Sequence, residues 1–305
     1  MVQGAKVNRA AARVAILVAC HNDGLTIHET IESLRAEKDA ELVVVDDGST
    51  DPRTLDVLSE LEADGINVLR QENDGPASAW MTGLSATSAP YVLPFSSDDI
   101  LVPGASGLLA DALDTNPQAA AAWGDLQSFG AASAYVPSAP ELCPWHVTYM
   151  SPAPGIAAFR RELLLEAGGW QLGRGMEDWD LWMRIAARGF PGVYVPRLTF
   201  YYRRDTGGRF RGRVRSFEGF FEQLRERNAE LFARRRQTRR VSPAPRALKI
   251  LFPLVDRLPF ASRLVKVQLC DLLTLIFWSG GARRTARIVI QGIAFRVRVL
   301  QQPRG

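Results

Sequence analysis

Five polar clusters carry the residue types that could do chemistry: HNDG at 21–24, DDGSTD at 46–51, ENDGP at 72–76, SSDD at 96–99 and MEDWD at 176–180. Paired carboxylates can hold a hard divalent cation through oxygen. They can also accept the imide and hydroxyl donors of a nucleotide, or take a proton from a hydroxyl as a general base. The same residues have structural uses. Asp-Gly followed by Ser or Thr makes a turn and caps the next helix, and Glu177 and Asp178 at a helix start are favoured by its dipole. Location in the fold separates these readings.

The elements that must position the clusters follow a regular rhythm. Val14 to Cys20 (VAILVAC) is a continuous apolar run followed by a helical pattern with Ile27, Ile31 and Leu34 on one face. Glu41 to Asp47 (ELVVVDD) is followed by a pattern carrying Leu55, Leu58 and Leu61. INVLR precedes a helix near 77–86, and Tyr91 to Phe95 (YVLPF) is a fourth strand. Continuous apolar strands alternating with helices predict a mostly parallel sheet covered on both faces. Such sheets bind ligands beyond the carboxyl ends of their strands, so the first four clusters should converge on one rim. AAAAWGD offers a possible fifth strand, and 175–189 reads as an amphipathic helix with Trp179, Trp182, Met183, Ile185 and Ala186 toward the core.

No strand is followed by GxGxxG and there is no GxxxxGKS, which excludes the usual glycine cradles for pyrophosphate. A bound diphosphate would need a carboxylate-held Mg or Mn ion, and SSDD stands where such an ion is required. Three cysteines without CxxC spacing and three scattered histidines argue against a disulfide framework and a thiolate zinc site. The N-terminal basic residues precede a short apolar run without a cleavage pattern, so a strand is expected there rather than a signal peptide. The uncharged stretch 272–282 is too short to span a bilayer.

In combination, ILVACHNDG, ELVVVDDGSTD, ENDGPASAWMTGLSATSAPYVLPFSSDD, GGWQLGRGMEDWDLWMRIAARG and FYYRRDTGG resemble, in order and separation, the inverting family 2 glycosyltransferases of GT-A fold. The resemblance covers about 13–208. It implies a GT-A-type, Rossmann-like α/β fold and a nucleotide-sugar donor. It sets Cys20 and His21 in the loop contacting the nucleotide, Asp46 at the base, Asp47 supporting that turn, and Asn73 and Gly75 under the nucleotide. Asp98 matches the last residue of the metal-binding DxD, with Asp99 its acidic neighbour. Asp178 matches the catalytic base, flanked by Glu177 and backed by Trp179, and Arg203 belongs to the YR that follows the last core strand. Three residues depart from the pattern. Ser96 replaces the first Asp of DxD, Met81 stands where an Asn is common, and Asp205 replaces a His that can ligate metal; an Asp there could restore an oxygen ligand.

Charge divides the chain. Residues 1–202 carry 13 Lys/Arg against 26 Asp/Glu, and residues 203–305 carry 24 against 7. The basic part interleaves Arg with Leu251, Phe252, Phe260, Leu272 and Trp278 and contains no nucleic-acid-binding motif, so nucleic acid is not the expected partner. Amphipathic helices with basic flanks suit an anionic leaflet, where each Lys or Arg contributes about 1 kcal/mol. A helical cap on the catalytic domain or an oligomer contact is the alternative. The expected organisation is a tail at 1–12, a catalytic domain at 13–215 and a basic amphipathic appendage at 216–305. The expected location is the cytoplasmic face of the membrane, and the expected acceptor is a lipid-linked or cell-envelope glycan. A catalytically inactive sugar-nucleotide-binding or scaffold protein is the second reading, motivated by Ser96 and Met81.

Overall fold

The computed structural model describes residues 12–172, 175–204 and 208–279. The first half alternates as the sequence predicts: β1 (Val14–Cys20), α1 (Ile27–Leu34), β2 (Ala40–Asp47), α2 (Pro52–Ala63), β3 (Asn67–Gln71), α3 (Pro76–Ser85) and β4 (Tyr91–Ser96). After β4 come β5 (Ile100–Leu101), α4 (Ala105–Asp114), β6 (Ala121–Gly130), β7 (Ala134–Val136), β8 (Ala158–Arg160), α5 (Arg161–Glu166), α6 (Glu177–Ala187) and β9 (Gly192–Arg204). The strands form one nine-stranded sheet in the order β3-β2-β1-β4-β8-β6-β9-β5, with β7 beside β6. β1 to β4 pair in parallel, as does β6 with β9, while β8 runs antiparallel to β4 and β6, and β5 antiparallel to β9. The result is the mostly parallel, helix-flanked α/β sheet of the GT-A type.

Each strand sends alternate residues to opposite faces, and the core divides accordingly. Ile16 and Val18 of β1 pack with Ile27, Ile31, Val44, Leu58 and Leu109 under α1, α2 and α4. Ala15 and Leu17 face the other cluster, which contains Trp80, Trp123, Phe159 and Trp182. Leu55 is 38% exposed, and α2 instead buries Thr54, Val57, Leu58 and Leu61. Asp51 caps this helix by accepting from Thr54 N, and the buried stripe begins at Thr54 itself, one position before Leu55.

Beyond β9 lie α7 (Gly208–Arg227), α8 (Ala229–Ala233), α9 (Arg235–Val241), α10 (Arg246–Asp256) and α11 (Arg263–Phe277). A division at 215/216 falls inside α7. Phe221, Leu224, Leu248, Phe252, Val267 and Cys270 belong to the same buried cluster as Trp145, Trp179 and Trp182. Phe252 stacks on Trp145 with ring centroids 5.4 Å apart, and Phe221 meets Trp179 edge-on at 5.6 Å. Among the described residues no helix is long and apolar enough to cross a membrane. The last part of the expected basic appendage, 280–305, lies outside the described residues.

Candidate active site

Strand register brings the first four clusters together. Cys20 is opposite Asp46, Asp46 is opposite Arg70, Asp47 is opposite Gln71, and Ala19 is opposite Ser96. All of these positions end their strands at the same rim, the side on which parallel sheets bind ligands.

The loops leaving that rim are tied to one another. Asn22 adopts φ 56°, a left-handed conformation that Asn tolerates better than most residues. Its Oδ1 accepts from Thr50 N at 2.8 Å and Asp51 N at 2.9 Å, and its own N–H donates to Ser49 Oγ at 3.0 Å. The carbonyl of Asp47 lies 2.8 Å from His21 Nδ1, which donates to it, leaving Nε2 to accept from Asn22 Nδ2 at 3.2 Å, while Asn73 Nδ2 lies across the ring edge, 2.8 Å from Nδ1 and 3.0 Å from Nε2. Asp47 is the main latch. Its Oδ1 accepts from Gln71 Nε2 and Asp74 N, and its Oδ2 from Gly75 N, all within 2.8 to 2.9 Å. Gly75 sits at φ 91°, a conformation favouring glycine, and starts α3 with Pro76 behind it.

Asp46 is 3% exposed and accepts from Ser49 N at 2.9 Å, which closes its turn. Cys20 is a buried wall residue. Burial, followed by the charge of Asp23, pushes its thiol up to about 12, so it is not a thiolate nucleophile. Ser97 donates to Asp23 Oδ2 at 2.6 Å. Neither Asn22 nor Asp23 was singled out as a site residue by sequence reasoning. The turn-forming type of Asn22, directly after a strand, is the signal that could have found it.

Asp98 is half-buried and Asp99 is buried. Asp99 Oδ1 accepts from Arg203 N at 2.8 Å, while Arg203 Nε donates to the Asp98 carbonyl at 2.8 Å. Arg203 also pairs with Glu29 and lies 4.4 Å over the Phe129 ring. Asp99 therefore fastens β9 to the end of β4. Among the described residues no three His, Cys, Asp or Glu side chains group to hold a metal, and Asp205 lies outside the described residues. The donor set near β4 still fits an ion taken mostly from a ligand, because Mg is commonly held by one or two carboxylates plus substrate phosphate oxygens. Asp98, half-buried just beyond the end of β4, would be the carboxylate for such an ion.

Asp178 stands in the first turn of α6, where its Oδ1 accepts from Trp179 N at 2.7 Å. Its carboxylate lies against Gly155, since a Cβ added there would be 3.2 Å from Oδ2. Glu177 is half-buried beside it. Trp179 anchors the helix by donating Nε1–H to the Val147 carbonyl at 2.7 Å. The glycine pair before α6 packs onto α3, with Trp170 and Trp80 5.5 Å apart. Met81 lies directly over Gly169, which gives the departure at Met81 a packing role.

Residues 15–142 match the family model described as Glycosyl transferase family 2. The succinoglycan biosynthesis protein ExoU of Rhizobium meliloti is 35% identical over 99 residues, which is 32% of this chain and 29% of that protein. The poly-beta-1,6-N-acetyl-D-glucosamine synthase of Staphylococcus aureus is 29% identical over 116 residues, 37% of this chain and 28% of that protein. The chain thus matches less than a third of the length of these relatives. Among solved structures, S. aureus TarS 1–349 in complex with UDP-GlcNAc superposes with TM-score 0.55 at 16% identity, over 95% of this chain and 92% of that one. A mannosyltransferase from Pyrobaculum calidifontis in complex with GDP-Man and Mn2+ gives 0.54 at 20% identity, over 96% and 84%. At these identities the structural likeness bears on the fold.

Proposed function

We propose that this chain, which carries a glycosyltransferase family 2 domain over residues 15–142, moves a glycosyl group from a nucleoside diphosphate sugar to a hydroxyl of a lipid-linked or cell-envelope glycan. The observation that carries the reading is the strand register that sets Cys20, Asp46, Gln71 and Ser96 on one rim. That rim holds a nucleotide between the first two loops, with Asp46 toward the base and with His21, Asn73 and Gly75 shaping the floor that Asp47 latches. The names of the matched relatives support an envelope polysaccharide as the setting.

Transfer follows as an inverting displacement. Asp178 accepts the proton of the acceptor hydroxyl, which attacks the anomeric carbon from the face opposite the diphosphate. The Trp179 amide holds that carboxylate in place with Glu177 beside it, and Arg203 keeps the end of β4 fixed beneath the diphosphate through Asp98 and Asp99. A Mg or Mn ion held by Asp98 and the donor's phosphates, with Asp205 a further candidate ligand, would neutralise charge developing on the leaving group. Asp178→Asn should leave donor binding within about twofold while turnover falls by about 100-fold or more, the span of general-base catalysis. Donor-dependent thermal shift and transfer assays measure the two, and near-normal transfer by the variant refutes the assignment.

In this reading the enzyme works at the cytoplasmic face of a membrane, and the exposed apolar residues of the basic helices support it. Phe260, at the turn between α10 and α11, is fully exposed, with Ile250, Leu254 and Leu258 exposed nearby. A non-catalytic sugar-nucleotide-binding module is the second reading. Ser96 at the first DxD position favours it, and donor turnover with Mg or Mn distinguishes the two.

A further inference from the structure

A cavity of about 480 Å³ lies between β7, the 150–154 segment and α11. Its size is that of a small-molecule site. Its walls are mostly apolar, including Ala134, Val136, Met150, Ala153, Leu269 and Leu272, and its charged lining is Arg204 and Asp271. The cavity is separate from the strand rim assigned to the donor. It reaches the chemistry by another route, because Pro154 lines it and the next residue, Gly155, lies against the carboxylate of Asp178. At the other end Val265 lines it too, and the same Val265, 43% exposed, belongs to the apolar surface formed by Leu258, Pro259 and the fully exposed Phe260. Val265 thus joins the exposed apolar tip to the cavity, and the segment that walls the cavity continues into the residue beside Asp178.

We propose that this cavity takes the hydrocarbon tail of an amphiphilic acceptor whose reactive hydroxyl is separated from its tail by no more than a sugar ring. The inference rests on Asp178 as the base that receives the acceptor hydroxyl. A nucleotide is poorly matched to the cavity, since one Arg and one Asp give no net charge to meet a diphosphate. A long hydrophilic glycan has nothing to bury there, whereas a lipid does. The head-group limit follows from adjacency. Only Pro154 and Gly155 separate the cavity wall from the carboxylate, so a tail held in the cavity leaves room near Asp178 for a short head. The reaction would then be an early addition to a lipid carrier or glycolipid, its acceptor supplied by a reaction that attaches a small polar head to a lipid.

The test uses the full-length protein without donor and a series of hexyl, octyl and decyl glucosides below their micelle concentrations, with binding followed by calorimetry. Each methylene moved from water into the cavity should tighten binding about fourfold, from roughly 0.8 kcal/mol per CH₂, until the cavity is filled. Ala134→Phe projects a ring into the cavity from an edge strand and should weaken octyl glucoside by about tenfold or more. Ala131→Phe, exposed and outside the lining, should not. Leu272→Gln, which adds a polar group to the wall without filling it, should flatten the dependence on chain length. Donor-induced thermal shift in each variant reports that the fold and donor rim persist. Absence of glucoside binding, affinity independent of tail length, or equal weakening by both Phe variants overturns the proposal. Failure of the base assignment shows separately, as transfer retained in Asp178→Asn while tail-dependent binding persists.

Discussion

Asparagine at position 180 would remove a buried charge from the helix that carries Asp178. Asp180 is fully buried. Its Oδ2 accepts from Arg184 Nε at 2.9 Å, and its Oδ1 accepts from Asn228 Nδ2 at 3.0 Å and Arg227 Nε at 3.4 Å. α6 is thereby fastened to the junction of α7 and α8. Arg184 is only 13% exposed and also donates to the carbonyls of Ala167 and Gly169. Burial pulls its pKa down, and the Asp180 charge opposes that effect. Asparagine keeps the shape and can accept one of the bonds, but it leaves Arg184 without its counter-charge. Breaking one side of a buried pair costs about 3 to 5 kcal/mol. Arg184 keeps two carbonyl acceptors and Arg227 can turn to solvent, so the lower end, about 3 kcal/mol, applies. At about 2 to 3 °C per kcal/mol for a chain of this size, the melting temperature should fall by roughly 6 to 9 °C. Urea unfolding and thermal melts measure both quantities. Asp180→Leu combined with Arg184→Met replaces the pair with apolar groups and should recover most of the loss. A single variant within about 1 kcal/mol of the parent, or a double variant no better than the single, would refute the reasoning.

Three further outcomes are expected. Burial pushes His146 down to about 3, so the unfolded chain takes up a proton first as pH falls through its ordinary value of about 6.5. Stability is then flat above about pH 6.5 and lost below it by about 1.4 kcal/mol per unit. His146→Phe, which keeps the stack on Phe252, should remove about 2 kcal/mol of that loss between about pH 6.5 and 5 in urea unfolding, and parallel pH slopes would contradict this. Gly169 has φ 62° and a Cβ there would lie 2.5 Å from Met81 Sδ, so Gly169→Ala should cost about 2 kcal/mol. Adding Met81→Ala should return only the steric share, as read by thermal melts. Phe260→Ser should lower flotation with anionic vesicles about tenfold, since burying a Phe side chain is worth about 1.5 to 3 kcal/mol, and unchanged flotation would exclude the tip as a membrane contact.

The rim was legible because continuous apolar strands that end in polar clusters have few other foldings, and Cys20, Asp46 and Ser96 do end their strands in register. The division of labour among the carboxylates was less legible. Asp46 and Asp47 are adjacent and chemically identical, yet one closes a turn on Ser49 while the other takes three donors from the end of β3 and the loop that follows it. Asp98 and Asp99 divide similarly, Asp99 holding the backbone of Arg203. Sequence gives the type and spacing of a carboxylate, whereas its partners come from loops brought there by the sheet. The antiparallel insertion of β8 between β4 and β6 was hidden for the same reason, because a three-residue strand of AFR leaves no periodicity to read.

The basic charge of the C-terminal part also divides once partners are assigned. Arg235 is enclosed between Tyr149 and Phe232, with centroids 4.2 and 4.5 Å away, and pairs with Asp256, to which Arg263 is also bound. Arg227 is joined to Asp180. These arginines fasten the helices to the sheet domain, and Asp256 and Asp180, each shared between two arginines, meet part of their charge, so they add less to attraction for an anionic leaflet than free surface arginines would. Arg246 and Arg257 are exposed, and they share α10 and its end with exposed Ile250, Leu254 and Leu258. A membrane contact built on this face depends on apolar insertion near Phe260 as much as on charge. Added salt should therefore weaken vesicle binding only in part, whereas a purely electrostatic attachment would be lost with it.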